Sequence, residues 1–437
     1  MPSSWVAMAA LVAAAGVPYL IWTSLDRRKH RRAAVVHADI VSLGDEGVPI
    51  SLHPMIDLDD CIGSGACVRA CPEKDILGIT DGRARLINPM ACVGHGACMA
   101  ACPVGAIKLV FGTATRGIEL PKVDASFETS QPGVYVVGEL GGMGLIRNAV
   151  AQAGQAGDAI ARSGRRGRAG ELDAIVVGAG PAGLGSALAL MAHGLRVLVV
   201  EQSSFGGAIA HYPRAKVVMT GTLELPGFGT VRRKTLSKEE LLALWDDIRQ
   251  RTRMPVREGI RVESLVADGA SWRVRGDGFD ERAASVVLAL GRRGAPRQLD
   301  VPGEELAKVS YRMIEPTGFA GQRVLVVGGG NAAADCALGL ADAQVATSVG
   351  LSYRRRELAR LRASVRDRLE AAFASGAVTP YLGTEVTRIA PDHVELRRGD
   401  AVELLANDAV IVQIGGTAPN DLLRTIGIEL IEKRGQA

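Results

Sequence analysis

Hydrophobic and polar positions along the 437-residue chain change pattern twice, and each stretch predicts different elements. The first stretch is an uninterrupted apolar run from Trp5 to Trp22, about the minimum length for a helix that crosses a bilayer. Trp5, Tyr19 and Trp22 stand near its ends, where amphipathic rings favour the interface, and Pro18 would kink the helix without abolishing it. Arg27, Arg28, Lys29, Arg31 and Arg32 follow directly, so the positive-inside rule places the rest of the chain in the cytoplasm. A cleaved signal peptide would carry its cationic region before the apolar run, and none is present there. Residues 1–25 are expected to form a single-pass inner-membrane anchor and 26–52 a polar linker.

The second stretch, 53–112, consists of two halves joined by an Asp81-Gly82 turn. From about Leu172 the pattern becomes α/β. Asp173-Ala-Ile-Val-Val is a buried strand, followed by Gly178-Ala-Gly180-Pro181-Ala182-Gly183 and a helix of Ala and Leu. A second strand, Arg196-Val-Leu-Val-Val, ends on Glu201. The unit then repeats as Arg323-Val-Leu-Val-Val, Gly328-Gly-Gly330-Asn331-Ala332-Ala333 and another helix. Two such turns in strand–turn–helix context predict two Rossmann-like dinucleotide folds. The first glycine makes the tight turn, the second admits a pyrophosphate to the backbone, and the third position must be small for helix–strand packing. Glu201 is placed to bind ribose hydroxyls, as an adenine-dinucleotide site with a free 2′-OH requires. The second fold lacks that acid: its strand Ala346–Leu351 runs into Tyr353-Arg354-Arg355-Arg356 and Arg360, which suit the 2′-phosphate of NADPH.

Charge changes the picture little. The formal net charge of +4 comes from the Arg27–Arg32 cluster and a second one, Arg162, Arg165, Arg166 and Arg168. Without them acids are in excess, which argues against a nucleic-acid partner. Cysteine changes it greatly. Six of the seven cysteines lie in two runs, Cys61-x2-Ser64-x2-Cys67-x3-Cys71-Pro72 and Cys92-x2-His95-x2-Cys98-x3-Cys102-Pro103. Metal-ligand spacing with only Cys336 left over points to a reducing compartment rather than a disulfide framework. Zinc held by Cys71, Cys92, His95 and Cys98 is the simple alternative to iron.

Both runs resemble the C-x2-C-x2-C-x3-C-P motif of bacterial two-cluster ferredoxins, with the second Cys replaced by Ser64 and His95. The resemblance implies one cluster on Cys61, Ser64, Cys67 and Cys102 and another on Cys92, His95, Cys98 and Cys71, either as [3Fe-4S] or as [4Fe-4S]. The paired glycine turns resemble the thioredoxin-reductase-like pyridine nucleotide–disulfide oxidoreductases over roughly 113–437, most of all the branch with bacillithiol disulfide reductases. Val287–Gly291 and Ile411–Gly415 match that family's two crossovers.

One part is out of order. The family ends on a Gly-Asp motif and a helix facing the flavin; here Gly138-Glu139 and then Arg147-Asn148-Ala149 read like that ending, placed first. A circularly permuted flavin domain follows, giving 53–112 as an α+β ferredoxin-like domain, 113–165 as the displaced end of the FAD domain, 171–300 as its body, 301–415 as the NADPH domain and 416–437 as the return. Thioredoxin reductases carry a C-x-x-C dithiol that this chain lacks, and Ala182 stands where bacillithiol-type reductases have a Cys.

The expected protein is a membrane-anchored enzyme passing electrons from NADPH through FAD to iron–sulfur clusters, and on to a ferredoxin, a quinone or another redox protein. A thiol/disulfide reductase and a non-catalytic redox sensor are the alternatives, and a homodimer is compatible with either. Gly207, near the expected flavin edge, and Gly415, at the return crossover, join the cofactor-binding set. His211 is the candidate proton donor.

Overall fold

The computed structural model describes most of residues 16–38, and the chain from 51 to 436 except 74, 75, 90, 91, 93, 143, 213, 215, 220, 234, 293, 294, 314, 359, 360 and 362. The chain forms two compact units, one of residues 1–118 and 434–437, the other of 119–433.

In the first unit β1 (His53–Ile56) pairs antiparallel with β4 (Ile107–Val110), and β2 (Leu77–Thr80) with β3 (Arg83–Leu86). Two one-turn helices, α1 (Ala66–Ala70) and α2 (Ala97–Ala100), follow the two cysteine-bearing loops. The core holds Ile76, Leu77, Ala84 and Ile107 together with the thiols themselves. Residues 26–31, expected to be linker, are helical, and the helical Ala33 and His37 lie against the β2–β3 hairpin. A Cβ on Gly78 would meet Ala33 Cβ at 2.8 Å, and His37 Nδ1 lies 3.0 Å from Leu86 O.

The transmembrane anchor needs correction. Among the described residues no helix is long and apolar enough to cross a membrane. The described helical residues include the exposed charged positions Arg27, Arg28, Lys29 and Arg31, which interrupt any apolar run. Most of Trp5–Trp22, with Pro18 and Arg32, lies outside the described residues. The single-pass inner-membrane assignment, the membrane partner and the cytoplasmic placement derived from them are withdrawn.

The second unit is built on two large sheets. In the first, β7 (Leu172–Val177) is flanked by β8 (Val197–Glu201) and β12 (Phe279–Leu288), with β9 (Val256–Glu258) outside β8. All these pairings are parallel, as expected of strands buried on both faces. The other edge of β12 is shared: Phe279–Ala283 pairs antiparallel with β11 (Ser271–Gly276), beyond which lies β10 (Val262–Asp268). Val286–Leu288 pairs parallel with β6 (Val134–Val136), which comes from far earlier in the chain. Helix α3 (Ile146–Arg162), following β6, packs on α4 (Pro181–Ala192). Their closeness explains the small residues in both: a Cβ on Gly157 would press on Ala189, and one on Gly185 on Ala153. Each helical glycine costs up to about 1 kcal/mol relative to alanine, and the close approach of the helices offsets it.

The second sheet is wholly parallel, with β13 (Arg323–Val327) between β14 (Ser348–Tyr353) and β16 (Ala409–Val412), and β15 (Thr379–Leu382) beyond β14. Two crossovers connect the sheets, and they meet as a short antiparallel pair, Ala295–Pro296 with Gly416–Thr417. The end of this unit returns to its beginning: Lys122 N donates to Glu429 O at 2.9 Å, and Arg424 Nη2 bonds Glu119 Oε2 at 2.6 Å.

Candidate functional site

The two glycine turns of the second unit open onto one cleft of about 1650 Å³. Each glycine can be asked what a side chain there would meet. At Gly178, with φ +107°, a Cβ would press on the Ala289 carbonyl; at Gly183 it would overlap the Gly178 carbonyl. Those glycines serve the turn and the packing. Gly180 differs: its φ of −78° and ψ of −171° suit any residue, and a Cβ there would have no atom within 4 Å. Gly330 repeats this, at φ −101° and ψ 174° with open space beside it. Both line the cleft, each just before a helix N-terminus, where unpaired N–H groups favour an anion. Protein packing gives no reason for these two glycines, whereas close approach of a pyrophosphate does. The residues fit dinucleotides.

Around the first turn, buried Glu201 holds its carboxylate against the loop: Oε2 accepts from Ala179 N at 2.8 Å and Oε1 from Ser203 N at 3.0 Å. Pro181, Ala182 and Gly207 line the cleft beside it. The Gly138-Glu139 segment arrives from β6, the strand beside β12. Gly138, at φ +77°, donates its N–H to Gln152 Oε1 at 2.9 Å, and a Cβ on it would sit 2.8 Å from that of Ala182. Glu139 and Ala149 line the cleft, while half-buried Asn148 does not. Burial lowers the Arg292 guanidinium pKa, and the charge of Glu139 opposes that shift.

Around the second turn, Asn331, Ala332, Arg354 and Gly415 line the cleft; buried Ala333 packs behind the loop in place of a third glycine. Arg355 is half-buried and does not line the cleft; its carbonyl accepts from Gly383 N at 2.9 Å. Arg360 lies outside the described residues.

His211 lines the cleft with Arg312 Nη1 3.2 Å from its Nε2. A guanidinium only donates, so Nε2 accepts. Burial first, then the charges of Arg312 and Lys238, push the imidazole below its ordinary pKa. A proton-donor role would need the imidazolium, which these surroundings disfavour. Cys336, the one thiol in this unit, is buried, and burial followed by the nearby Asp335 pushes its pKa to about 12.

In the first unit the cysteine loops are near copies. Gly63 and Gly65 have φ of +68° and +67°, Gly94 and Gly96 +73° and +77°, and helices α1 and α2 follow. Such alternation of left-handed glycines builds backbone concavities that receive anionic groups, iron–sulfur clusters among them. The thiols sort into two sets that feel each other's charge: Cys67 with Cys61 and Cys102, and Cys98 with Cys92 and Cys71. Each set draws one member from the other run, the crossing that the tandem motif implies. Burial raises the pKa of Cys67, of Cys92 and of Cys98, the last to about 11, so cluster assembly must displace thiol protons. Cys61 Sγ lies 3.4 Å from Ala84 N, which can donate to it. Ser64 Oγ accepts from Ala66 N at 3.4 Å, and Ser64 shares a small cavity with Cys61, Cys67 and Cys102. His95 is half-buried in the other loop. Among the described residues no three His, Cys, Asp or Glu side chains converge on a point that could hold one metal ion. A cluster distributes its thiolates over separate irons.

Family comparison decides the class. Residues 175–436 match the pyridine nucleotide-disulphide oxidoreductase model, and 53–103 a 4Fe-4S dicluster domain. The chain belongs to the pyridine nucleotide-disulphide oxidoreductase family. It is an FAD-dependent NAD(P)H oxidoreductase of that family with an iron–sulfur domain attached. It is 32% identical over 278 residues to a ferredoxin–NADP reductase of Limosilactobacillus fermentum, covering 60% of this chain and 79% of the relative. A ferredoxin–NADP reductase of Ignicoccus hospitalis is 33% identical over 171 residues, a match that spans 39% of this chain and 53% of that protein. Among solved structures, bacillithiol disulfide reductase Bdr (YpdA) from Bacillus cereus superposes with a TM-score of 0.53 at 26% identity, covering 59% of this chain and 82% of that one.

One contributor, and the role of another, escaped sequence reasoning. Gln152 holds the Gly138 turn from a helix, and nothing in its spacing marks it. Tyr353 lies against Gly329, and a triple glycine where two would serve was the available signal.

Proposed function

We propose that this oxidoreductase takes electrons from NADPH at the Gly328–Ala333 turn, passes them to FAD held at the Gly178–Gly183 turn, and delivers them to two iron–sulfur centres. The centres would be held by Cys61, Cys67 and Cys102 and by Cys71, Cys92 and Cys98, with Ser64 and His95 at the remaining corners. When bound, FAD supplies acceptance of two electrons and their release one at a time, which is what joins a nicotinamide to iron–sulfur centres. Gly180, Glu201, Gly138 and Glu139 would hold the flavin nucleotide; Gly330, Asn331 and Arg354 would hold the other. Residues 113–165, of which 119–165 belong to the second unit, serve as the displaced end of the flavin domain, a reading supported by β6 lying beside β12 and α3 against α4. The terminal acceptor is a redox protein of the ferredoxin class, by analogy with the reductases this chain resembles.

The observation that carries the reading is the pair of unpacked second glycines, Gly180 and Gly330, open to one cleft. A thiol/disulfide reductase is the weaker alternative, because Ala182 and buried Cys336 leave that cleft without a dithiol. Anaerobic titration with NADPH, followed by optical and EPR spectra, tests the proposal. Flavin bleaching and then cluster reduction are expected; bleaching with the clusters left oxidised through many equivalents would refute the electron path.

A further inference from the structure

The two dinucleotide folds share a hydrogen-bond register, and at one position of it they differ in kind. In the first fold Val177 pairs with Val200, Gly178 N donates to Val200 O at 2.8 Å, and the next residue is Glu201. In the second, Val327 pairs with Ser352, Gly328 N donates to Ser352 O at 2.9 Å, and the next residue is Tyr353. Glu201 and Tyr353 therefore occupy equivalent places. Both also reach the middle residue of their own glycine turn. Glu201 accepts from Ala179 N, while a Cβ on Gly329 would overlap the Tyr353 ring at three of its carbons.

The ring thus lies against the Gly329 backbone. Gly329 does not have a positive φ, so backbone conformation does not demand glycine there; the ring does. The first fold tolerates Ala179 because a carboxylate stands in the ring's place. Tyr353 is buried yet lines the cleft, with exposed Arg354 next in the chain also lining it.

At this place a carboxylate accepts the ribose hydroxyls of a dinucleotide, and it would repel a phosphate on the 2′-oxygen. We infer that Tyr353 decides which dinucleotide the second fold accepts: its ring takes the position of the ribose-binding acid and braces the glycine turn, leaving Arg354 to meet a 2′-phosphate. This rests on the proposed use of that fold as a nicotinamide-dinucleotide site. The selected ligand class is an adenosine bearing a 2′-phosphate.

Calorimetric binding of adenosine 2′,5′-bisphosphate and of 5′-AMP to the full-length protein tests it without turnover. The unmodified protein should favour the bisphosphate at least tenfold. Tyr353→Glu should lower that ratio at least tenfold, through weaker bisphosphate binding, tighter 5′-AMP binding or both, and Tyr353→Phe should keep the ratio. Gly329→Ala should weaken both ligands in the parent but not in a Tyr353→Ala background, where the Cβ has room. An unchanged ratio in Tyr353→Glu, or a Gly329→Ala effect that is the same in both backgrounds, overturns the inference; the second comparison stands even if Tyr353→Glu fails to fold. If the unmodified protein binds neither ligand, the functional reading of the second fold falls with it, a result distinct from the other two.

Discussion

Replacing Gly180 by alanine should separate folding from flavin binding. Gly180 precedes α4 with an extended backbone that alanine adopts without strain, and no protein atom lies within 4 Å of the new Cβ. Alanine is a poorer helix N-cap than glycine, by roughly 0.5–1 kcal/mol. Its smaller unfolded-state entropy returns about 0.4–1 kcal/mol. Apo-protein stability should therefore stay within about 1 kcal/mol of the parent. The methyl group would instead stand where a pyrophosphate must approach the backbone. Losing one charge-assisted hydrogen bond costs about 1.5–3 kcal/mol, or roughly 10–150-fold in FAD affinity. Gly183→Ala is the control with the opposite signature, since its Cβ would overlap the Gly178 carbonyl. Overpacking of that kind costs about 1–3 kcal/mol or more in stability. The assay is FAD affinity by flavin fluorescence, beside a thermal melt of the apo-protein. If Gly180→Ala melts like the parent and binds FAD equally well, that glycine is not there for a ligand, and the first turn is not the flavin's phosphate cradle.

Three further outcomes are expected. Cys71→Ser and Cys92→Ser should disturb the same centre, and Cys102→Ser the other, in EPR spectra and iron counts; equal spectra for Cys71→Ser and Cys102→Ser would refute the crossed thiol sets. A reordered chain that starts at residue 171, joins Lys433 to Glu119 through a short Gly-Ser linker and stops at 165 should fold and retain FAD without the first unit, because Arg424 already bonds Glu119; failure to bind FAD would count against the permutation. Cys336 should resist alkylation at pH 8 in the native protein and react once unfolded. Its folded pKa of about 12 lies above the ordinary 9.0, so its contribution to stability is full below about pH 9 and lost as pH rises towards 12; native-state labelling at pH 8 would contradict that burial.

Several of these features were legible as text. The strand–turn–helix units around Gly178 and Gly328 predict two parallel sheets because glycine spacing, strand hydrophobicity and helix composition agree within thirty residues or so. The crossing of the cysteines is what the resemblance to two-cluster ferredoxins implies, and the grouping of the thiols is consistent with it. The apolar run Trp5–Trp22 led to an anchor, whereas among the described residues no helix is long and apolar enough to cross a membrane. The described helix carries exposed charges along 27–31 and places Ala33 on the β2–β3 hairpin. His211 was legible as a candidate, whereas the Arg312 guanidinium beside its Nε2 was not.

What the sequence determined alone is therefore local: turns needing left-handed glycine, buried strands, and the ligand set spaced for iron and sulfide. What only the tertiary structure decided is which distant groups share a place. That β6 lies against β12, that Gln152 holds Gly138, and that Tyr353 rests where Glu201 does in the other fold all depend on pairings across tens or hundreds of residues. Chain pattern encodes each partner's propensity, whereas register and packing choose between partners, and that choice is settled only when the sheets assemble.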